Sequence, residues 1–238
     1  MKRVLIVKTG GTLPELRAQR GDYEEWIAAG MGLARDAVDV AEVASGAPLP
    51  PPDEVAGAVV TGSSAFVSER EPWSERTGEW LACAVGQGTP VLGICYGHQL
   101  LAHALGGEVG RNPRGREIGT VEVRRLAPAR SDPLLGFWGA AEPAHVTHVE
   151  SVLALPDGAV HLAESDLDPV QAFRVGERAW GVQFHPEFDA DTVRAYLSAR
   201  TEKVRAEGLD PETLHAGIRE TPAAARILRR FAELIRST

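Results

Sequence analysis

Cysteine is almost absent from this chain. Its 238 residues hold two, Cys83 and Cys95, which excludes a disulfide-stapled scaffold and fits a reducing, cytoplasmic setting. Long apolar runs are missing too. None approaches the ~18–20 residues needed to cross a bilayer, so no membrane association through a spanning helix is expected. The first apolar run, Val4 to Val7 behind Lys2 and Arg3, is too short for a signal peptide and reads as a core strand. Basic residues are not in excess: 25 Lys and Arg face 33 Asp and Glu, a formal charge of −8. With no basic cluster, a nucleic-acid surface is excluded. His98, His103, His145, His161 and His215 share no metal-ligand spacing with carboxylates or cysteines, so neither a metal site nor a cofactor is expected.

What is present is ordinary for a soluble globular protein, 44% hydrophobic and 24% charged, and long enough for one large α/β domain or a domain with an appendage. The chain is organised around Pro90-Val91-Leu92-Gly93-Ile94-Cys95-Tyr96-Gly97-His98-Gln99-Leu100-Leu101. Val91 to Ile94 has strand character. From Gly97 onward Leu100, Leu101, Ala104 and Leu105 give the apolar face of a helix that stops at Gly106-Gly107. A cysteine at such a turn is pushed out of the packed layer, and the positive end of the helix dipole favours its thiolate. This is the geometry of a nucleophile elbow, with Cys for Ser. Cys83, among Trp80, Leu81, Ala84 and Val85, lacks the glycine frame and reads as a buried, inert packing cysteine. A second stretch, Ala179 to Phe188, carries His185 and Glu187. In extended backbone, residues two apart project to the same side, so the carboxylate can orient the imidazole. Cys95, His185 and Glu187 are thus candidate nucleophile, base and orienter.

In chain order, strands are expected at 3–7, 37–43 and 57–61, and helices at 22–33, capped by Asp22, and 73–86. Lys8-Thr9-Gly10-Gly11-Thr12-Leu13 lacks the Gly-Lys-Ser/Thr of a phosphate loop and the further Thr-Asp motif of asparaginases, so it reads as a βα turn. After Gly107 the pattern changes to strands at 116–126, 144–149, 152–155, 160–164, 170–175 and 179–185, separated by turn signals. The expected fold is α/β, a mostly parallel central sheet flanked by helices with an added antiparallel meander. Asp189 or Asp191 caps a helix running to about Glu207, with further helix starts at Asp210-Pro211 and Thr221-Pro222. The last helix carries an apolar stripe, Ile227, Leu228, Phe231, Leu234 and Ile235, which docks either on its own domain or on a partner. The division expected is 1–188 for the main unit and 189–238 for a helical extension.

Gly93-Ile94-Cys95-Tyr96-Gly97-His98-Gln99 together with Gly181-Val182-Gln183-Phe184-His185-Pro186-Glu187 resembles the class I (triad) glutamine amidotransferase family, in its GMP-synthase-like, standalone form. The resemblance covers roughly residues 1–190. It implies a flavodoxin-like fold and hydrolysis of the glutamine side-chain amide through a γ-glutamyl thioester, releasing glutamate and ammonia. The family places an oxyanion donor at a Ser-Gly-Gly-Pro strand end, which here reads Thr61-Gly62-Ser63-Ser64, so the implied donors are the N–H of Tyr96 and one at Gly62 or Ser63. The resemblance also implies Gln99 as a contact to the substrate's amino-acid portion. The family's Ser-His-Gly-Asp segment reads Thr147-His148-Val149-Glu150, which makes Thr147 and His148 substrate-pocket candidates. Glutamine or another γ-glutamyl small molecule is the implied ligand, with a separate ammonia-accepting synthase as the implied partner. Two alternatives stand beside this: a γ-glutamyl peptidase or hydrolase, and a non-catalytic regulatory subunit.

Overall fold

The computed structural model describes residues 2–237; Met1 and Thr238, the outer ends of the two expected units, lie outside them. The first half alternates strands and helices: β1 (Val4–Lys8), α1 (Pro14–Arg20), α2 (Tyr23–Met31), β2 (Val38–Glu42), β3 (Gly57–Val60), α3 (Pro72–Gly86), β4 (Val91–Ile94) and α4 (Tyr96–Ala104). Seven strands come next: β5 (Glu108–Arg111), β6 (Glu117–Arg125), β7 (Ala141–His148), β8 (Glu150–Ala154), β9 (Val160–Glu164), β10 (Ala172–Val175) and β11 (Ala179–Val182). Four helices end the chain: α5 (Ala190–Ala199), α6 (Thr201–Ala206), α7 (Pro211–Ala216) and α8 (Pro222–Arg236).

The main sheet runs β2-β1-β3-β4-β11-β10-β9-β6-β7. Its first five strands are parallel and the rest antiparallel. β1, β3, β4 and β11 are buried along their whole length, as strands covered on both faces must be. Successive side chains in β1 point to opposite layers. Val4 and Ile6 join Ile27 of α2, Val193 of α5 and Phe231 of α8, whereas Leu5 and Val7 join Leu81 of α3 and Leu100 of α4. The parallel half has the doubly wound order of flavodoxin-like folds, and the meander extends it. β5 pairs with β8 in a small separate sheet.

The register aligns three strand ends. Val60 of β3 lies beside Gly93 of β4, and Gly93 and Ile94 lie beside Gly181 and Val182 of β11. All three strands are parallel, so they deliver Thr61-Gly62, Cys95 and the segment leading to His185 at one edge of the sheet, where such folds bind ligands.

Three expectations are corrected. The strand expected at 179–185 stops at Val182: Gln183 N–H still follows the β10 register onto Gln171 O (2.9 Å), but His185 N–H leaves it for His145 O (2.8 Å). His185 and Glu187 therefore sit in a turn rather than in extended backbone. The helix expected to run to Glu207 breaks at Arg200 (φ −113°, ψ 9°), giving α5 and α6, with Asp189 as the cap through Thr192 N–H (2.8 Å). The segment read as a βα turn at 8–13 is one, connecting β1 to α1, which has Pro14 in its first turn. Cys83 is exposed. On α3 the buried stripe is Ser74, Thr77, Gly78, Leu81 and Ala84, and position 83 falls outside it.

Candidate active site

Cys95 occupies the tip of a strained elbow. Its φ is 51° and ψ −100°, one of two non-glycine residues with positive φ among those described, a conformation rarely held without a functional reason. The glycines on either side make the turn possible. A Cβ on Gly93 would lie 2.3 Å from Gly97 O, and one on Gly97 would lie 2.4 Å from Val60 O. The helix α4 starts at Tyr96, so the thiol sits at its N-terminal end with the Tyr96 N–H in the first, unpaired turn.

His185 is buried, and its Nδ1 is 2.8 Å from Glu187 Oε1. Phe188 stacks on the ring at 4.1 Å and 11°. Phe188 in turn rests on Tyr196 (5.1 Å) and Tyr23 (6.1 Å), whose hydroxyls meet at 2.6 Å. The opposite ring nitrogen, Nε2, is buried and makes no hydrogen bond among the described residues. Gly62 closes the other side: a Cβ there would come 3.0 Å from His185 Cε1 and 3.8 Å from Cys95 Cβ. Burial alone would lower the pKa of His185, but the Glu187 carboxylate and Cys95 outweigh it and push it up to about 10. The Glu187 carboxylate and Cys95 thus both favour the charged form of the ring.

A family model described as "Glutamine amidotransferase class-I" matches residues 57–201, a span that contains Gly62, Cys95, His185 and Glu187. The chain belongs to the class I glutamine amidotransferase family. It is 38% identical over 188 residues to a glutamine-hydrolysing GMP synthase from Aeropyrum pernix, covering 77% of this chain and 32% of that protein. It is 36% identical over 107 residues to gamma-glutamyl peptidase 3 of Arabidopsis thaliana, covering 42% of each. The chain thus spans less than half the length of both relatives. Its fold is shared over 100% of its length, and 99% of the other chain, with a glutamine amidotransferase crystal structure from Thermotoga maritima, at TM-score 0.78 and 24% identity.

Within this family member, two cavities meet at Cys95. The first, about 190 Å³, is lined by Gln99, His148, Glu150, Arg116 and Lys203. The second, about 220 Å³, is lined by Thr12, Tyr23, His185 and Tyr196. Both share Ser63, Ser64, Cys95, Thr147 and Arg200. The sequence-predicted residues therefore come together, in different ways. Ser63 fixes the loop after β3, its hydroxyl donating to Thr9 O (2.9 Å) and accepting from Ala65 N–H (3.1 Å). Gln99 lines the first cavity, but its Nε2 already donates to Glu150 O (2.7 Å) and Gln183 Oε1 (3.0 Å), so it braces the wall. His148 presents Nε2 to Asp168 (3.1 Å) and Glu117 (3.5 Å). Burial would raise Asp168, yet His148 and Ser151 hold its pKa low. Thr147 Oγ1 is buried without a hydrogen-bond partner among the described residues.

Other wall residues had no signal in the sequence. Thr12 and Leu13 come from the segment read as a plain turn; Thr12 reaches Tyr196 OH at 2.9 Å. Arg116 is held by Glu207 at 2.6 Å, and Arg200 and Lys203 come from the helical region after residue 189. Among the described residues no group of three His, Cys, Asp or Glu is placed to hold a metal, and no helix is long and apolar enough to cross a membrane.

Proposed function

We propose that the chain hydrolyses γ-glutamyl amides through a thioester on Cys95. The Cys95 sulfur attacks the side-chain amide carbon, and the resulting oxyanion is held by the N–H of Tyr96 and a second donor at Gly62 or Ser63. The C–N bond breaks as His185 gives its proton to the departing amine. Water then adds to the thioester, His185 takes the proton, and glutamate leaves with the sulfur restored. Glu187 keeps the ring oriented and charged. The observation that carries this reading is the strained elbow at Cys95, set against a buried imidazole whose far nitrogen is bonded to Glu187.

Glutamine is the smallest such substrate, and similarity to a GMP synthase supports it, with a separate ammonia-accepting synthase as partner. A second reading, cleavage of γ-glutamyl peptides, is favoured by the cavity on the His185 side of Cys95, which gives an amine larger than ammonia room to leave. The test is glutamate release from glutamine and from γ-glutamylglycine by the native chain and by Cys95→Ala. The native chain should turn over at least one of them and the variant neither. Unchanged hydrolysis in the variant would refute the thioester.

A further inference from the structure

The cavity on the His185 side has an uneven chemistry. An amine leaving Cys95 must depart toward the group that protonates it, so the cavity lined by both Cys95 and His185 is the leaving-group side. Glu150, His148 and Gln99 line the other cavity, which leaves that one for the γ-glutamyl portion. Three buried polar atoms on residues lining the leaving-group cavity have no hydrogen-bond partner among the described residues: His185 Nε2, Thr147 Oγ1 and Arg200 Nη1. His185 Nε2 is accounted for by the reaction itself. Thr147 and Arg200 are not, and an unpartnered buried donor is costly unless a ligand meets it.

Arg200 is built to stay where it is. The helix after Asp189 breaks at this residue, and its guanidinium lies over the Tyr196 ring at 4.6 Å. Burial holds its pKa below the usual arginine value, as for a cation that lacks a compensating anion. No Asp or Glu lines this cavity among the described residues. Arg200 also borders the first cavity, which holds Glu150, but that carboxylate is bonded to Ser68 N–H and Oγ. A fixed guanidinium beside a cavity without acids recognises a carboxylate, to which it makes charge-assisted bonds.

We infer that Arg200 reads a carboxylate on the leaving amine, so that the substrates favoured are γ-glutamyl amino acids, and that Thr147 supplies a neutral donor beside it. This rests on the reading of the chain as a γ-glutamyl amide hydrolase. It makes the segment after residue 189 part of the site's specificity. Arg200 acts on the choice of substrate, not on bond breaking.

The experiment compares γ-glutamylglycine with γ-glutamylglycinamide, which differ only in the leaving group's charge. The native chain should show a higher kcat/KM for the carboxylate substrate. In Arg200→Met the ratio of the two should fall by about 10–100-fold, the worth of one charge-assisted hydrogen-bond pair, and Arg200→Lys should recover part of it. A ratio removes any general effect of the substitution on folding or chemistry. An unchanged ratio in Arg200→Met, or no preference in the native chain, would overturn the inference. Binding of both dipeptides to Cys95→Ala and to the Cys95→Ala, Arg200→Met double variant, by calorimetry, separates the two claims. If no peptide is cleaved but Arg200 still sets the carboxylate preference in binding, hydrolysis is wrong and this inference stands. If peptides are cleaved and binding ignores Arg200, the reverse holds.

Discussion

At the residue scale, His185 decides how the site behaves with pH. Burial opposes its charge, while Glu187 and Cys95 raise its pKa from about 6.5 to about 10. A group raised on folding contributes stability that is fully present below the unfolded value and is lost as pH rises through the folded one. The chain should therefore lose thermal stability between pH 6.5 and 10, and Glu187→Gln, with the raising carboxylate gone, should show a flatter profile in differential scanning calorimetry. The same substitution should lower kcat by roughly 10²–10⁴-fold, as loss of an orienting carboxylate does. A pH profile identical to the native one would show that Glu187 does not hold the charge. Exposed Cys83 and elbow Cys95 should separate by reagent. Simple alkylation should reach Cys83, whereas a glutamine-like electrophile should map to Cys95 by peptide mass spectrometry; labelling of Cys83 by the latter would contradict the assignment. Cys95, His185 and Glu187 were legible because each motif is local. Thr12, Arg116 and Arg200 were not, because only folding brings them to Cys95 and none sits in a pattern of its own.

At the scale of elements, the elbow depends on glycine at 93 and 97. Each Cβ would fall inside 2.5 Å of backbone oxygen, and backbone in a packed layer cannot move aside cheaply. Gly97→Ala should destabilise the fold by about 3 kcal/mol or more, read as a lower urea midpoint, and should lower activity beyond that loss. A midpoint within error of the native value would mean the turn is softer than this geometry implies. The strands β1, β3 and β4 were readable from their unbroken apolar runs, and the Asp22 cap from its position: Asp22 Oδ1 accepts from Tyr23 N–H at 2.9 Å, and Glu25 Oε2 from Asp22 N–H at 2.8 Å. The break at Arg200 and the early end of β11 were not readable. The early end of β11 arises where a backbone group takes a distant partner, as His185 N–H does with His145 O, and no local propensity records that choice. At Arg200 the backbone N–H stays local, on Leu197 O at 3.1 Å, while the guanidinium lies over the Tyr196 ring, a contact that no sequence pattern marks.

At the scale of the whole molecule, the sheet order brings three strand ends to one edge, and the terminal helix covers the layer behind them. The sequence alone leaves the apolar stripe of α8 open to internal docking or to a partner. The structure packs it internally: Ile227, Leu228, Phe231 and Ile235 are buried, and Phe231 meets Trp180 edge-on at 6.2 Å. Phe231→Ala should cost about 3–5 kcal/mol in chemical denaturation. No loss would mean that α8 is not part of the core. Strand order across the meander could not be read from sequence, since β9 lies between β10 and β6 through pairings of distant segments that periodicity does not encode. The central claim is that Cys95 carries a γ-glutamyl group during turnover. The measurement that reaches it most directly is mass spectrometry of the chain quenched in acid during turnover of glutamine or γ-glutamylglycine. The account predicts one γ-glutamyl group on the peptide containing Cys95, lost on incubation at neutral pH. Steady glutamate release with no adduct on Cys95, in a quench fast enough to catch a known thioester, would contradict it.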